Sequence, residues 1–218
     1  ADDAAFERIL DRDGGEPPRE GDELRFPLGD RAAIENLAKR YWEPGIITPA
    51  EKKAEENRIP GIVEKAKGRG YLLKDELIEF GRWKSRDRNV GHYKKNTVKE
   101  IESKTRKALI AKSREEALRH LEEIKGVKLP TASAILHWFR DDVPIIDFRV
   151  VEALGYKMSQ EELSRKLQNK GKYDFYAEVA EKVIREAERV GVSLRDMDRA
   201  LWAWQKAYAR PRSGRACA

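Results

Sequence analysis

Residues 124–154, IKGVKLPTASAILHWFRDDVPIIDFRVVEAL, constrain the fold more than any other stretch of the chain. Two helical patterns flank Lys125-Gly126-Val127-Lys128-Leu129, a turn so short that the second helix must return against the first. Gly126 permits a backbone conformation that a side chain opposes. Pro130 suits the first turn of the second helix, where its missing N–H costs nothing. Ala132, Ala134, Ile135 and Leu136 supply the close packing such a pair needs. Backbone N–H groups at that helix start, with Thr131 and Ser133 nearby and Lys125 and Lys128 beside them, form an anion site. The extended, apolar Pro144-Ile145-Ile146 then ends in one carboxylate, Asp147. An aspartate there is good N-cap chemistry for a helix over 148–154.

The rest of the chain supplies helices and no strand-period segment of useful length, so the fold class is all-α. Asp30 caps a helix with Ala33, Ile34, Leu37 and Tyr41 inward, ending near Trp42-Glu43-Pro44-Gly45. Thr48, Pro49 and Glu51 open another, which is expected to stop before Pro60-Gly61. A further helix runs from about Ile62 to Gly68-Arg69-Gly70, and one more over 74–83 ends in the polar run SRDRN. Residues 96–111 continue helical with Val98, Ile101, Ala108 and Leu109 inward. Ser113 with Glu116 reads as a capping box opening 114–123, and Ser159 with Glu162 as another. Residues 173–190 form a long amphipathic helix bounded by Gly191. Ser193 with Asp196 opens the last helix, whose Trp202 and Trp204, two apart, face different ways. A short helix over 4–10 is expected within an acidic, loosely ordered arm spanning 1–29, and 210–218 as a disordered tail. No internal repeat of 20–50 residues appears.

Charge matters more by place than by its sum of +6. Residues 82–112 carry eleven Lys/Arg against three acids, interrupted by Trp83 and Tyr93, whereas 1–30 carries ten acids against four bases. A basic block of this kind suits a polyanion, because each neutralised phosphate releases counterions; a solvated helix face is the plainer reading. The single cysteine, Cys217, excludes an intrachain disulfide and a cysteine-ligated cluster. His92, His120 and His137 lack metal-ligand spacing, so no metal is expected from side chains. With no apolar run near membrane length and no signal-peptide pattern, the expectation is an intracellular protein of cytoplasm or nucleoid, monomeric and away from membranes.

Lys125-Gly126-Val127-Lys128-Leu129-Pro130 between its helices resembles the helix-hairpin-helix motif. Pro144-Ile145-Ile146-Asp147, 21 residues after Gly126, resembles the catalytic loop of the helix-hairpin-helix DNA glycosylases, nearest their adenine-glycosylase-like branch. The likeness covers roughly 115–155 and extends weakly back to Leu72, where Trp83-Lys84-Ser85 falls at the place of a DNA-probing helix end. It implies two helical lobes with a cleft between them: 71–155 holding the hairpin at 114–140, and 30–70 with 156–209 forming the other. It implies excision of a flipped damaged or mispaired base from double-stranded DNA, purines slightly favoured, with Asp147 as the catalytic carboxylate. DNA contacts would come from Lys125, Gly126, Val127, Lys128 and Thr131 with Lys84, Arg86 and Arg88, and the pocket from Trp83, Trp138 and Phe148. Relatives that also cut the strand place a lysine where this chain has Pro130, so a monofunctional enzyme is expected. No cofactor is required; a monovalent cation, K+ or Na+, at the hairpin carbonyls is carried over by resemblance. Lys128 replaces the second glycine of the usual hairpin, and the four-cysteine cluster of many relatives is absent.

Plainer readings stand beside these. The hairpin serves equally in a non-catalytic protein that binds bent or damaged duplex, and the basic block would serve an RNA-binding helical module. Trp83 and Trp138, aromatic residues on amphipathic helices, are as readily core as stacking platforms. Lys84 and Lys95 are phosphate contacts or pocket residues.

Overall fold

The computed structural model describes residues 26–208, all of whose regular structure is helical; an isolated bridge pairs Pro44 with Ile47. The expected arm helix over 4–10, most of the 1–29 arm and the 210–218 tail lie outside the described residues.

Twelve α-helices follow in order: α1 (Arg31–Arg40), α2 (Pro49–Lys53), α3 (Ile59–Arg69), α4 (Lys74–Ser85), α5 (Val90–Lys94), α6 (Val98–Ile110), α7 (Arg114–Glu122), α8 (Leu129–Leu136), α9 (Phe148–Ala153), α10 (Gln160–Lys166), α11 (Lys172–Val190) and α12 (Leu194–Tyr208). The cap signals act as read. Asp30 accepts from Ala33 N, Thr48 and Ser159 form full capping boxes with Glu51 and Glu162, and Gly191 ends α11 in the left-handed conformation. Each such cap contributes about 1 kcal/mol. At α7 the box is half made: Ser113 accepts from Glu116 N, but the Glu116 carboxylate turns to Lys112 N.

Three expectations are corrected. The helix opened by Thr48 does not stop before Pro60, because a π-helical turn, Ala54–Arg58, joins α2 to α3. That turn widens the backbone spacing just before Pro60, where an α-helical register would lose an N–H and clash with the carbonyl four residues back. Helix α5 was not foreseen, and α6 starts after a Thr97–Glu100 capping box, leaving Asn96 free for another task. On α6 Val98 is exposed, while Thr105 joins Ile101 and Ala108 inside; its hydroxyl is satisfied by Ile101 O and by Leu72 N–H.

One contiguous apolar cluster runs from Phe26 through Phe80, Leu118, Leu129, Ile146 and Val183 to Leu201, so the segments 30–70, 71–155 and 156–208 share a core. Fully burying a side chain such as Leu118 or Ile135 is worth about 1.5–3 kcal/mol. Helix α12 packs on α1, α9 and α11, while α7 bridges α6 and α8. Trp204 is buried and Trp202 partly exposed, as their spacing predicts.

Candidate active site

The loop between α8 and α9 is fixed at three backbone points. His137 Nδ1 lies 2.9 Å from Val143 O, Tyr176 Oη donates to Pro144 O at 2.8 Å, and Ile146 N–H donates to Ser133 Oγ at 3.1 Å. Burial first, then nearby Arg195, pushes the His137 pKa down to about 3, so the ring is neutral and Nδ1 carries the proton that the carbonyl accepts. Ser133, expected at an anion site, is instead fully buried and spent on this loop.

That loop delivers Asp147 to the N-terminus of α9, where Oδ1 accepts from Arg149 N at 3.0 Å and Val150 N at 3.1 Å. Its other oxygen, Oδ2, accepts from Lys84 Nζ at 2.6 Å. Both side chains are largely shielded, 16% exposed for Lys84 and 19% for Asp147. Burial alone would raise the carboxyl pKa; Lys84 and the helix N–H groups override it and hold Asp147 below the usual carboxylate range. The N-cap role and an ionised, cleft-facing carboxylate are thus one arrangement.

Beneath the pair lies a polar network that the sequence did not disclose. Glu55, on the π turn and fully buried, accepts from Tyr41 Oη, from Trp83 Nε1 at 3.1 Å and from Arg195 Nη2 at 2.5 Å. The Arg195 guanidinium also donates to Asp198 Oδ2 at 2.9 Å and lies over the Trp83 and Trp138 rings, 5.6 and 4.6 Å from their centroids. One guanidinium therefore serves two buried carboxylates. Burial, opposed by Arg195 and reinforced by Asp147 and Glu55, pushes the Asp198 carboxyl up to about 6.

Above this network, Tyr41, Trp83, Lys84, Asp147 and Asp198 line a cleft of about 1220 Å³. One wall is Tyr41 with the segment following α1. A second is Trp83 to Arg86 with Arg88. A third is Lys128, Pro130 and Thr131 of the hairpin, and the fourth is Asp147, Phe148 and Arg149 with Asp198, Trp202 and Lys206. Six cations, Lys84, Arg86, Arg88, Lys128, Arg149 and Lys206, face four carboxylates, Glu51, Asp147, Glu152 and Asp198. Arg86 ends α4 with φ +55° and ψ −141°, a positive-φ conformation unusual for a side-chain-bearing residue, and stands well exposed at the rim.

Of the residues predicted from sequence, the structure gathers Asp147, Phe148, Trp83, Lys84, Arg86, Arg88, Lys128 and Thr131 around this cleft. It does not bring Trp138 there: that ring packs against the core, edge-on to Trp83 at 5.9 Å. Nor do Lys125, Gly126 and Val127 line it; the Val127 side chain is buried, and Lys125 is exposed beyond the rim.

Gly126 is required twice over. Its φ is +94°, and an added Cβ would stand 2.6 Å from His92 Cβ and 3.1 Å from the Tyr93 ring. Tyr93 is fully buried on α5, its ring also closing on Gly81 of α4. Asn96 completes the clasp: its Oδ1 accepts from Lys125 N at 2.9 Å and its Nδ2 donates to Lys125 O at 3.0 Å.

Lys125 O accepts from Asn96 Nδ2 and Ile124 O from Val127 N–H, one donor each, so both hairpin carbonyls keep a lone pair. Among the described residues no group of three or more His, Cys, Asp or Glu side chains is arranged to hold a metal, and no helix is long and apolar enough to cross a membrane. Comparison of the chain with protein-family models, curated proteins and solved structures gives no match.

Proposed function

We propose that this protein is a DNA glycosylase that hydrolyses the N-glycosidic bond of a damaged or mispaired base flipped out of a duplex. The observation that carries the reading is the convergence of Asp147 with Lys128, Pro130 and Thr131 of the hairpin on one basic-rimmed cleft. Departure of a base leaves oxocarbenium-like charge on the sugar. An anion fixed beside it stabilises that charge and can orient the attacking water. Asp147 is suited to this: three hydrogen bonds fix it, and its low pKa keeps it charged at neutral pH.

In this reading the phosphates on either side of the flipped nucleotide meet Lys128 and the start of α8, which carries no side-chain cap, and the Arg86 and Arg88 rim. The two lobes of the proposal are the hairpin segment and the terminal segments, both of which contribute residues to the cleft over a shared core. Purines are favoured by the Pro-Ile-Ile-Asp likeness. No step depends on a bound cation.

A second reading, a non-catalytic clamp for bent or damaged duplex, is favoured by Lys84, whose ammonium covers the Asp147 carboxylate. Base release from duplexes bearing alkylated, deaminated, oxidised or mismatched bases, developed with alkali, separates the two. Release from one class supports the glycosylase; tight binding without release on every duplex supports the clamp.

A further inference from the structure

In the free protein one oxygen of Asp147 already holds a cation. Lys84 Nζ lies 2.6 Å from Oδ2, so ammonium and carboxylate together present a neutral pair to the cleft. Positive charge that develops beside such a pair is repelled by the ammonium about as strongly as the carboxylate attracts it. For Asp147 to stabilise that charge, the ammonium has to leave.

The two partners are held unequally. Asp147 Oδ1 accepts from the N–H groups of Arg149 and Val150 independently of Lys84, and these fix the carboxylate at the start of α9. The Lys84 ammonium has Asp147 as its one hydrogen-bond and ion-pair partner among the described residues. It stands one residue before the end of α4, part-buried in the cleft wall on a flexible four-carbon stem. Arg86 and Arg88 follow it along the same wall, and Lys128 lines the cleft from the hairpin. A shielded ammonium gives up a carboxylate only for another charged acceptor, since leaving either partner unpaired is costly. The charged acceptor that a duplex brings to this wall is a phosphate oxygen.

We propose that Lys84 is a phosphate-exchange residue: it neutralises Asp147 in the free protein and passes its ammonium to a backbone phosphate beside the flipped nucleotide when duplex enters, so that the carboxylate is uncovered only with DNA in place. The inference rests on the reading of the cleft as a DNA-sugar site. No proton changes hands. Lys84 stays an ammonium and Asp147 a carboxylate throughout, in keeping with the low carboxyl pKa. A lysine that ends on a phosphate adds one counterion-releasing contact to binding, whereas one that stays on the carboxylate adds none.

The test is the salt dependence of affinity for a duplex carrying a tetrahydrofuran abasic analogue, which has no base to release. The unaltered protein, Lys84→Gln and Lys84→Arg are compared. The proposal expects the slope of log affinity against log salt to be shallower by about 0.9 in Lys84→Gln. Lys84→Arg should keep the slope, because a guanidinium also pairs with phosphate. An unchanged slope in Lys84→Gln, or a slope lost equally in Lys84→Arg, would overturn the exchange. So would faster base release by bound Lys84→Gln than by the bound unaltered protein, the mark of an ammonium that stays on Asp147. Base release from a lesion together with an unchanged slope would defeat this inference and leave the glycosylase standing. The expected slopes without base release on any lesion would defeat the glycosylase and leave the exchange.

Discussion

Asp147 and Asp198 line the same cleft, both largely shielded from water, yet their carboxyls move in opposite directions. Asp147 has Lys84 as its close ammonium partner and two helix N–H groups on the other oxygen. Asp198 shares Arg195 with Glu55 and feels the charge of Asp147 besides. The number of donors per carboxylate, rather than burial, decides which stays charged. Position separates them too: Asp147 faces the cleft, whereas Glu55 and Arg195 hold α12, the π turn and Trp83 together beneath it.

The largest effect should come from removing the shared anion. Glu55→Ala leaves Arg195 facing one carboxylate and strips Tyr41 and Trp83 of their acceptor. Breaking a buried pair in this way costs about 3–5 kcal/mol, which denaturant unfolding would read. The same variant frees Arg195 for Asp198, whose pKa should fall; an unchanged Asp198 titration would break the comparison. Next is Asp147→Asn. Asparagine caps a helix as well as aspartate does, so α9 should keep its start; the variant loses only the stability tied to the Asp147 charge against Lys84, while base release falls by about 10²–10³-fold, the scale for losing one preorganised electrostatic contact.

Lys84→Met should shift a profile rather than abolish a fold. With its ammonium gone, burial drives the Asp147 pKa upward, so the acid limb of base release moves to higher pH, read from single-turnover rates. Stability has a sign here too. The low native pKa of Asp147 contributes stability above the ordinary carboxylate range, lost as pH falls through the native value. Asp198 has the opposite sign. Its native value of about 6 lies above the ordinary aspartate value of 3.8, so its contribution is present below about pH 4 and is lost as the pH rises through about 6. Asp198→Asn should therefore flatten the fall in unfolding free energy between those values, the smallest effect of the set. An unaltered slope would remove Asp198 from the account.

The hairpin, the capped helices and Asp147 were legible because each signal is local. A glycine in a five-residue turn, a proline at a helix start and an aspartate after an apolar extended run state their geometry within a few residues. Lys84 is 63 residues from Asp147, and nothing in Trp83-Lys84-Ser85 tells whether that lysine meets a phosphate or a carboxylate. Glu55 was hidden for a different reason. In an unbroken α-helical register Glu55 looks like an ordinary surface acid among Lys52, Lys53 and Glu56, and only the π turn before Pro60 carries it inside. Asn96 looked like the start of α6, where a short polar side chain is commonplace; its role depends on the distant Lys125 backbone. Trp138 failed the other way, since its spacing permits either face and Arg195, from α12, takes it for the interior.

The central claim is that Asp147 acts on the sugar of a flipped nucleotide rather than merely capping α9. The most direct measurement is single-turnover base release and duplex affinity, for the unaltered protein and Asp147→Asn, on the lesion duplex that responds in the panel. The account predicts that the variant binds that duplex as tightly as the unaltered protein and releases its base at least about a hundredfold more slowly. Equal rates of release in the two proteins would contradict it and return Asp147 to the role of a helix cap.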